Sequence, residues 1–291
     1  MATTEELKRK IATADDLKSV VKTMKALAAV SIHQYEKAVD SLAEYNRTLE
    51  MGWQILLQRE PQMLLKPKVS PPKKAGLVVF GSDWGMCGQF NERIADYTQK
   101  ALCDRDRETS IVNVGAKIAT CLQAKGYSCD ASFNLPSSVT GITTVVRQIV
   151  LTLENWREQN KLYRIDLIYN CIDSGVHYQT RQLQIFPLNF NWLRRLEQQK
   201  WSGSSLPVFT MDRNNLASAL FRQYFFVALY RACAESLKSE STSRLAAMQM
   251  AEKNITERLD ELNIQFNQQR QTTITEELLD IVAGFEALNG Q

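Results

Sequence analysis

A chain of 291 residues holds one large or two modest domains, and its 44% apolar content is ordinary for a water-soluble protein. The formal charge of +3 is close to balanced and argues against general nucleic-acid binding. No apolar run reaches the roughly eighteen residues a membrane span needs, and the opening MATTEELKRK reads as neither a signal peptide nor an Arg/Ser-rich transit peptide.

From residue 1 to 51 there is no proline and no glycine. Thr3 or Thr4 can cap a first helix, with Glu5 and Glu6 in the first turn where the helix dipole favours acids. That helix is expected to run to about Leu57, before Pro61. Every seventh residue from Leu7 is apolar: Leu7, Ala14, Val21, Ala28, Tyr35, Leu42, Leu49 and Leu56. This is a sustained heptad seam. Within it, Ala26, Ala28 and Ala29 would let another helix approach closely. Simple coiled-coil packing is the better reading, with a thin waist fitted to a narrow sleeve as the alternative.

Seventeen of the nineteen Gly and Pro residues lie between Gly52 and Pro207, so a turn-rich module separates two helical ends. Residues 61–74 hold four prolines and four lysines and read as an extended linker, with a phosphate- or lipid-binding role as the alternative. Strand patterns at 76–81, 110–114, 165–172 and 182–186 then alternate with helix patterns at 91–102, 116–125 and 142–159. A short edge strand is expected at 128–133. Such alternation predicts a mostly parallel sheet covered by helices.

The loop Gly81-Ser82-Asp83-Trp84-Gly85-Met86-Cys87-Gly88 joins a strand to a helix, where a phosphate cradle would sit. It matches neither G-x-G-x-x-G nor G-x-x-x-x-G-K-[ST], no lysine follows, and Asp83 would repel a phosphate. A tight structural turn is the better reading. Catalytic candidates are thin. His33 falls in the first helix and His177 in an expected turn, neither with a Cys or Asp at a recognisable spacing. The six cysteines are scattered without a C-x-x-C, which reads as reduced, mostly buried thiols. No catalytic residue, cofactor site or metal site is expected.

The run 208–283 again lacks proline and glycine. As one helix it would extend roughly 110 Å, too long for a compact domain of this size, so most of it must find a partner. Its stripe is Leu245, Met248, Ala251, Ile255, Leu259, Leu262 and Phe266, then Ile274, Leu278, Ile281 and Phe285. Two stripes at opposite ends of one chain predict an antiparallel coiled coil. The fold class is therefore α/β plus a long terminal coiled coil. Its parts are residues 1–60 as a first shaft helix, 61–75 as linker, 76–206 as the α/β domain and 207–291 as a second shaft helix.

Three stretches together resemble the gamma subunit of F-type ATP synthases. LKSVVKTMKALAA (17–29) is similar to the family's K-I-T-x-A-M helix, and SDWGMCGQFN (82–91) to its S-D-R-G-L-C-G-x-x-N loop. RLAAMQMAEKN and RQTTITEELLDIVAGFEAL (both within 244–288) parallel its R-M-x-A-M-x-x-A-x-x-N and R-Q-x-x-I-T-x-E-[IL]-x-[ED]-I-V-x-G. Trp84 stands where the family usually has arginine, Ala26-Leu27 replaces Met-Val, and Leu206-Pro207-Val208-Phe209 lacks the common Glu-Pro. RQYFFVALYRA and ELLDIVAGFEAL look closer to the alternate, sodium-type branch, and the plant insertion with a regulatory cysteine pair is absent.

The resemblance implies a rotor shaft of two terminal helices inside a ring of three alpha and three beta subunits. A Rossmann-like middle domain would touch the epsilon subunit and the membrane c-ring. It implies no active site in this chain and a peripheral position on the cytoplasmic face of a bacterial-type plasma (or thylakoid) membrane. It assigns Arg270, Gln271, Thr275, Arg244 and Met24 to beta-subunit contact, and Ile281, Val282, Ala283, Phe285 and Leu288 to an apolar bearing. The rivals are a stand-alone coiled-coil scaffold with an α/β head, and a Rossmann-type nucleotide enzyme.

Overall fold

The computed structural model describes residues 3–60, 74–103, 108–160, 162–174, 177–201, 205 and 207–289. The Pro/Lys stretch at 61–73 lies outside the described residues. In chain order the elements are α1 (Thr4–Arg59), β1 (Ala75–Phe80), α2 (Phe90–Cys103), β2 (Thr109–Val114), α3 (Ala116–Ala124), β3 (Ala131–Phe133), α4 (Val139–Asn160), β4 (Arg164–Ser174), β5 (His177–Phe186), α5 (Phe190–Gln198) and α6 (Arg213–Asn289). They form two compact units, residues 29–243 and residues 1–28 with 244–291.

In the larger unit the sheet runs in the order β3-β2-β1-β4-β5. β1 is parallel to β2 and β4, β3 is parallel to β2, and only β5 is antiparallel, forming a hairpin with β4. β1 is buried along its whole length, as a central parallel strand covered on both faces must be. One face packs on α4, α6 and α1 through Val78, Phe80, Ile149, Leu229, Leu237 and Tyr35. The other packs on α2 and α3 through Leu77, Val79, Phe90, Ile94, Ile118 and Leu122. The period-two alternation of β1 thus feeds two cores.

Within this unit α1 and α6 are antiparallel. Lys238 Nζ meets Glu36 at 2.8 Å, Tyr45 Oη donates to Gln223 at 2.7 Å, and Arg213 meets Glu60 at 3.2 Å, so one number rises as the other falls. The Lys238 ammonium holds the Glu36 carboxyl below its ordinary range, with a lesser push from His33.

Residues 1–28 and 244–291 form the second unit. Thr3 caps α1 in a reciprocal box: its hydroxyl accepts from Glu6 N–H and its own N–H donates to the Glu6 carboxylate, both at 3.3 Å. Leu7 and Val21 are buried on α1; Met248, Leu259 and Leu262 are buried on α6. An ion pair joins Lys25 to Glu252 across the seam. The Lys25 contact holds the Glu252 carboxyl down, helped by Lys22 and Lys18. All eight heptad positions of α1 are buried or half-buried, so the seam read from the sequence is the buried face of that helix.

Two features depart from the sequence reading. β5 begins at His177 rather than near residue 182, because its first half alternates polar Gln179 and Arg181 with Tyr178 and Thr180, which hides a strand in an apolar search. His177 is therefore a strand residue rather than a turn residue, and its side chain lies outside the described residues. The helix α5 was also unforeseen. Asn189 caps it, its side chain accepting from the N–H groups of Asn191 and Trp192 at 2.9 and 3.3 Å.

Candidate functional site

The loop after β1 is a brace. Gly81 N–H donates to Val114 O at 2.8 Å, continuing the β1–β2 ladder. Asn91, buried on α2, accepts from Ser82 N–H at 2.9 Å and donates to Ser82 Oγ at 2.8 Å. Ser82 Oγ in turn donates to Trp84 O at 2.7 Å. The Asp83 carboxylate accepts from Ala116 N–H at 2.9 Å and Leu135 N–H at 3.0 Å, so it tethers the start of α3 and the loop after β3. Ser82 O accepts from Lys117 N–H at 2.9 Å. The acid that argued against a phosphate instead accepts from the first N–H of α3, whose N-cap residue is Gly115, and so places its negative charge at the positive end of that helix. Gly81 is required for fit, since a Cβ there would lie 2.2 Å from Ile118 Cβ. At Gly115, with φ of 116°, a Cβ would lie 2.7 Å from Ser82 O. The loop presents Trp84 and Met86 to solvent, and Met86 takes a left-handed φ of 61°.

The C-terminal half of α6 carries the other candidates. Leu259 and Leu262 are buried at 5% and 4% exposure, whereas Leu278, Ile281 and Phe285 on the same stripe are 58%, 71% and 68% exposed. Ile274, Leu279 and Val282 are exposed as well. The seam loses its cover as α1 runs out, since Thr4 is the first helical residue of α1. Arg270 and Gln271 are exposed at adjacent positions just before this stretch. Thr275 is exposed, but its hydroxyl donates back to Gln271 O at 2.9 Å, one turn earlier on the same helix. Met24 on α1 and Arg244 on α6 are both half-buried in this unit. The Leu288 side chain lies outside the described residues. Arg270, Gln271, Ile281, Val282 and Phe285 thus share one exposed stretch, while Met24 and Arg244 belong to the paired part.

A second exposed apolar row was not singled out from the sequence. Leu17, Val20 and Leu27 on α1 are all more than half exposed, pointing away from the seam that buries Val21 and Ala28. Their spacing of three and seven was visible, but the stronger Leu7 series masked it.

Burial alone pushes the Cys233 thiol up to about 12. Burial also raises the Tyr169 hydroxyl, with Glu235 adding to it. His33 is exposed on α1, 3.8 Å from the Glu36 carboxylate. Among the described residues no group of three or more His, Cys, Asp or Glu side chains is placed to hold a metal ion. No described helix is long and apolar enough to cross a membrane.

The family model described as ATP synthase matches residues 3–288. The ATP synthase gamma chain of Pelagibacter ubique is 27% identical, covering 99% of this chain and 100% of its own length. That of Moorella thermoacetica is 25% identical over the same shares. A chain of the Euglena gracilis mitochondrial ATP synthase, solved with OSCP, F1 and c-ring, superposes with a TM-score of 0.66 at 18% identity, over 99% of this chain and 95% of that one. A chain of the Tetrahymena thermophila mitochondrial ATP synthase central stalk and c-ring gives 0.57 at 18%, over 80% and 99%. The chain belongs to the ATP synthase family, and matches its gamma chains from end to end.

Proposed function

We propose that this chain is the central shaft of an F-type ATP synthase, turning inside a ring of three alpha and three beta subunits. The observation that carries the reading is the exposed stripe from Ile274 to Phe285: a seam that continues after its own partner has ended is built for a partner from another chain. The full-length match to gamma chains supports the identity of that partner. A free-standing scaffold gives no reason for RQTTITEELLDIVAG, and a nucleotide cradle in the 81–88 loop would lack the Gly81 and Ser82 amides, which are already bonded within the fold.

The mechanism is geometric. One asymmetric shaft inside a pseudo-three-fold ring makes three equivalent catalytic sites inequivalent, and turning it moves each site through open, loose and tight states. Ion flow through the membrane c-ring drives the turn; ATP hydrolysis reverses it. In this reading the chain supplies no catalytic group. Residues 1–60 and 207–291 act as the shaft, 61–75 as linker, and 76–206 as a foot touching the epsilon subunit and the c-ring. The protein is peripheral, on the cytoplasmic face of a plasma or thylakoid membrane. The wording of RQYFFVALYRA and ELLDIVAGFEAL supports placement in the sodium-type branch.

Arg270 and Gln271 are the polar catch on a beta-subunit loop, where the forked donors of arginine suit a carboxylate. Thr275 lies one turn further on. Met24 and Arg244 sit at the lever that couples shaft to beta. Ile281, Val282, Phe285 and Leu288 turn in an apolar bearing, where few polar contacts must break per step. The test is co-purification from gently solubilised native membranes with a tag on this chain. One copy per three-to-three ring of ATPase subunits is expected. A homo-oligomer free of ATPase subunits would overturn the reading.

A further inference from the structure

Two hydroxyls one turn apart on α6 reach beyond their own helix, one to strand β4 and one to the loop after β1. Ser243 Oγ donates to Cys87 O at 2.6 Å, in the loop that follows β1. Ser239 Oγ is 2.8 Å from Glu235 O on its own helix and 3.1 Å from Asn170 O on β4, so its single proton is shared between them. The two outside acceptors belong to the adjacent central strand β4 and to the loop leaving β1.

Both acceptors are held. The Asn170 side chain accepts from Thr180 Oγ1 at 2.6 Å and donates to Phe90 O at 3.4 Å, joining β4 to β5 and to the start of α2. The Cys87 loop is fixed by the Ser82–Asn91 pair and by Asp83. Elsewhere α6 holds this unit by apolar side chains, among them Phe225, Leu229, Ala232 and Leu237, and by polar contacts outside the core such as Lys238 with Glu36 and Arg222 with Glu154. Apolar burial resists separation and large rotation, but a small twist costs it little area. A hydrogen bond to a fixed carbonyl constrains both distance and angle. Twisting α6 about its axis would break the Ser239 and Ser243 bonds while leaving much of the apolar contact in place.

We propose that Ser239 and Ser243 form a torsional latch, positioning residues through which the α/β unit and helix α6 turn as one body. The proposal rests on the shaft reading above. Ser243 is the last residue of that unit, and α6 continues without interruption to Asn289. A turn imposed on the foot enters the shaft helix at this point.

An internal control lies on the same helix. Ser236 is fully buried, and its hydroxyl has no hydrogen-bond partner. Removing it deletes a buried hydroxyl of the same kind without touching the grip.

The experiment uses the whole complex in membrane vesicles, with variants S243A, S239A, S239A/S243A, S243T and S236A. ATP hydrolysis and ATP-driven membrane potential, read by a voltage-sensitive dye, are measured together. The expected result is hydrolysis within about twofold of wild type in each. Potential generated per ATP should fall in S243A, less in S239A, whose hydroxyl shares its proton with its own helix, and furthest in the double variant. S243T, which keeps the hydroxyl, and S236A should both match wild type. An assembled double variant with the wild-type ratio overturns the latch, as does a loss in S236A equal to that of the double variant. If the double variant does not assemble, the two single variants decide by the same ratio. Failure of the wild-type chain to assemble with ATPase subunits would instead refute the shaft reading.

Discussion

Leu259 and Leu278 lie on one stripe of one helix, yet the first is 5% exposed and the second 58%. Composition, helix and spacing are the same; only the partner differs. The first packs in a seam that α1 completes, and the second continues the seam after α1 has ended. An apolar repeat therefore records where a helix is meant to be covered, and by how long a partner, rather than whether its own chain supplies the cover. The α/β unit is the opposite case, because it closes its own core on both faces of the sheet.

The largest effect should come from that closed core. Leu229 is fully buried between α6 and the sheet, and Leu229→Ala is expected to cost about 2–5 kcal/mol in denaturant unfolding of the purified chain. Leu278→Ala on the exposed stretch should change the same measurement by less than about 0.5 kcal/mol. Equal losses would erase the distinction between covered and uncovered stripe.

Next in size is the brace at Asp83. Asp83→Ala strips acceptors from the N–H groups of Ala116 and Leu135 and should cost about 1–3 kcal/mol. Hydrogen exchange should rise at those two amides first. A smaller loss, about 1 kcal/mol, is expected for Thr3→Ala, which opens the capping box of α1. Its signature is faster exchange confined to the first turn.

The smallest effect is electrostatic. Lys25 holds the Glu252 carboxyl below its ordinary value, so the pair stabilises the folded chain above the ordinary carboxylate range and is lost as pH falls through the depressed value. The melting-temperature advantage of wild type over Glu252→Gln should therefore be present near neutrality and vanish in acid. An advantage that grew on acidification would contradict the sign. Added salt should shrink it as well, since the Lys25 side chain is 36% exposed.

Much of this was legible in the sequence because apolar periodicity marks the faces meant to be covered. The Leu7 series, the Leu245 series and the strand–helix alternation each repeat often enough to outvote single exceptions. The missed elements depended on individual polar atoms. α5 begins at one asparagine side chain, and the first half of β5 is a strand whose exposed alternation is polar. The work of Asp83 depends on residues 33 and 52 positions away, a pairing no local pattern encodes. The serine grip was hidden for the same reason: ESLKSESTSR reads as an ordinary polar helix face until Cys87 O and Asn170 O are placed against it.

The most direct test of the central claim is the accessibility of the uncovered stripe. A cysteine introduced by Leu278→Cys would be labelled with a maleimide, in the isolated chain and in the assembled complex. Only three of the six native thiols are buried; exposed Cys103 and half-buried Cys121 and Cys129 would first be replaced by serine, while Cys233, pushed up to about 12 by burial, should stay unreacted in both. Rapid labelling in the isolated chain, slowed about tenfold or more in the complex, is the predicted result, because a partner must cover that stripe. Equal rates in the two states would mean the stripe stays open in the assembly, and the shaft account would be wrong where it matters most.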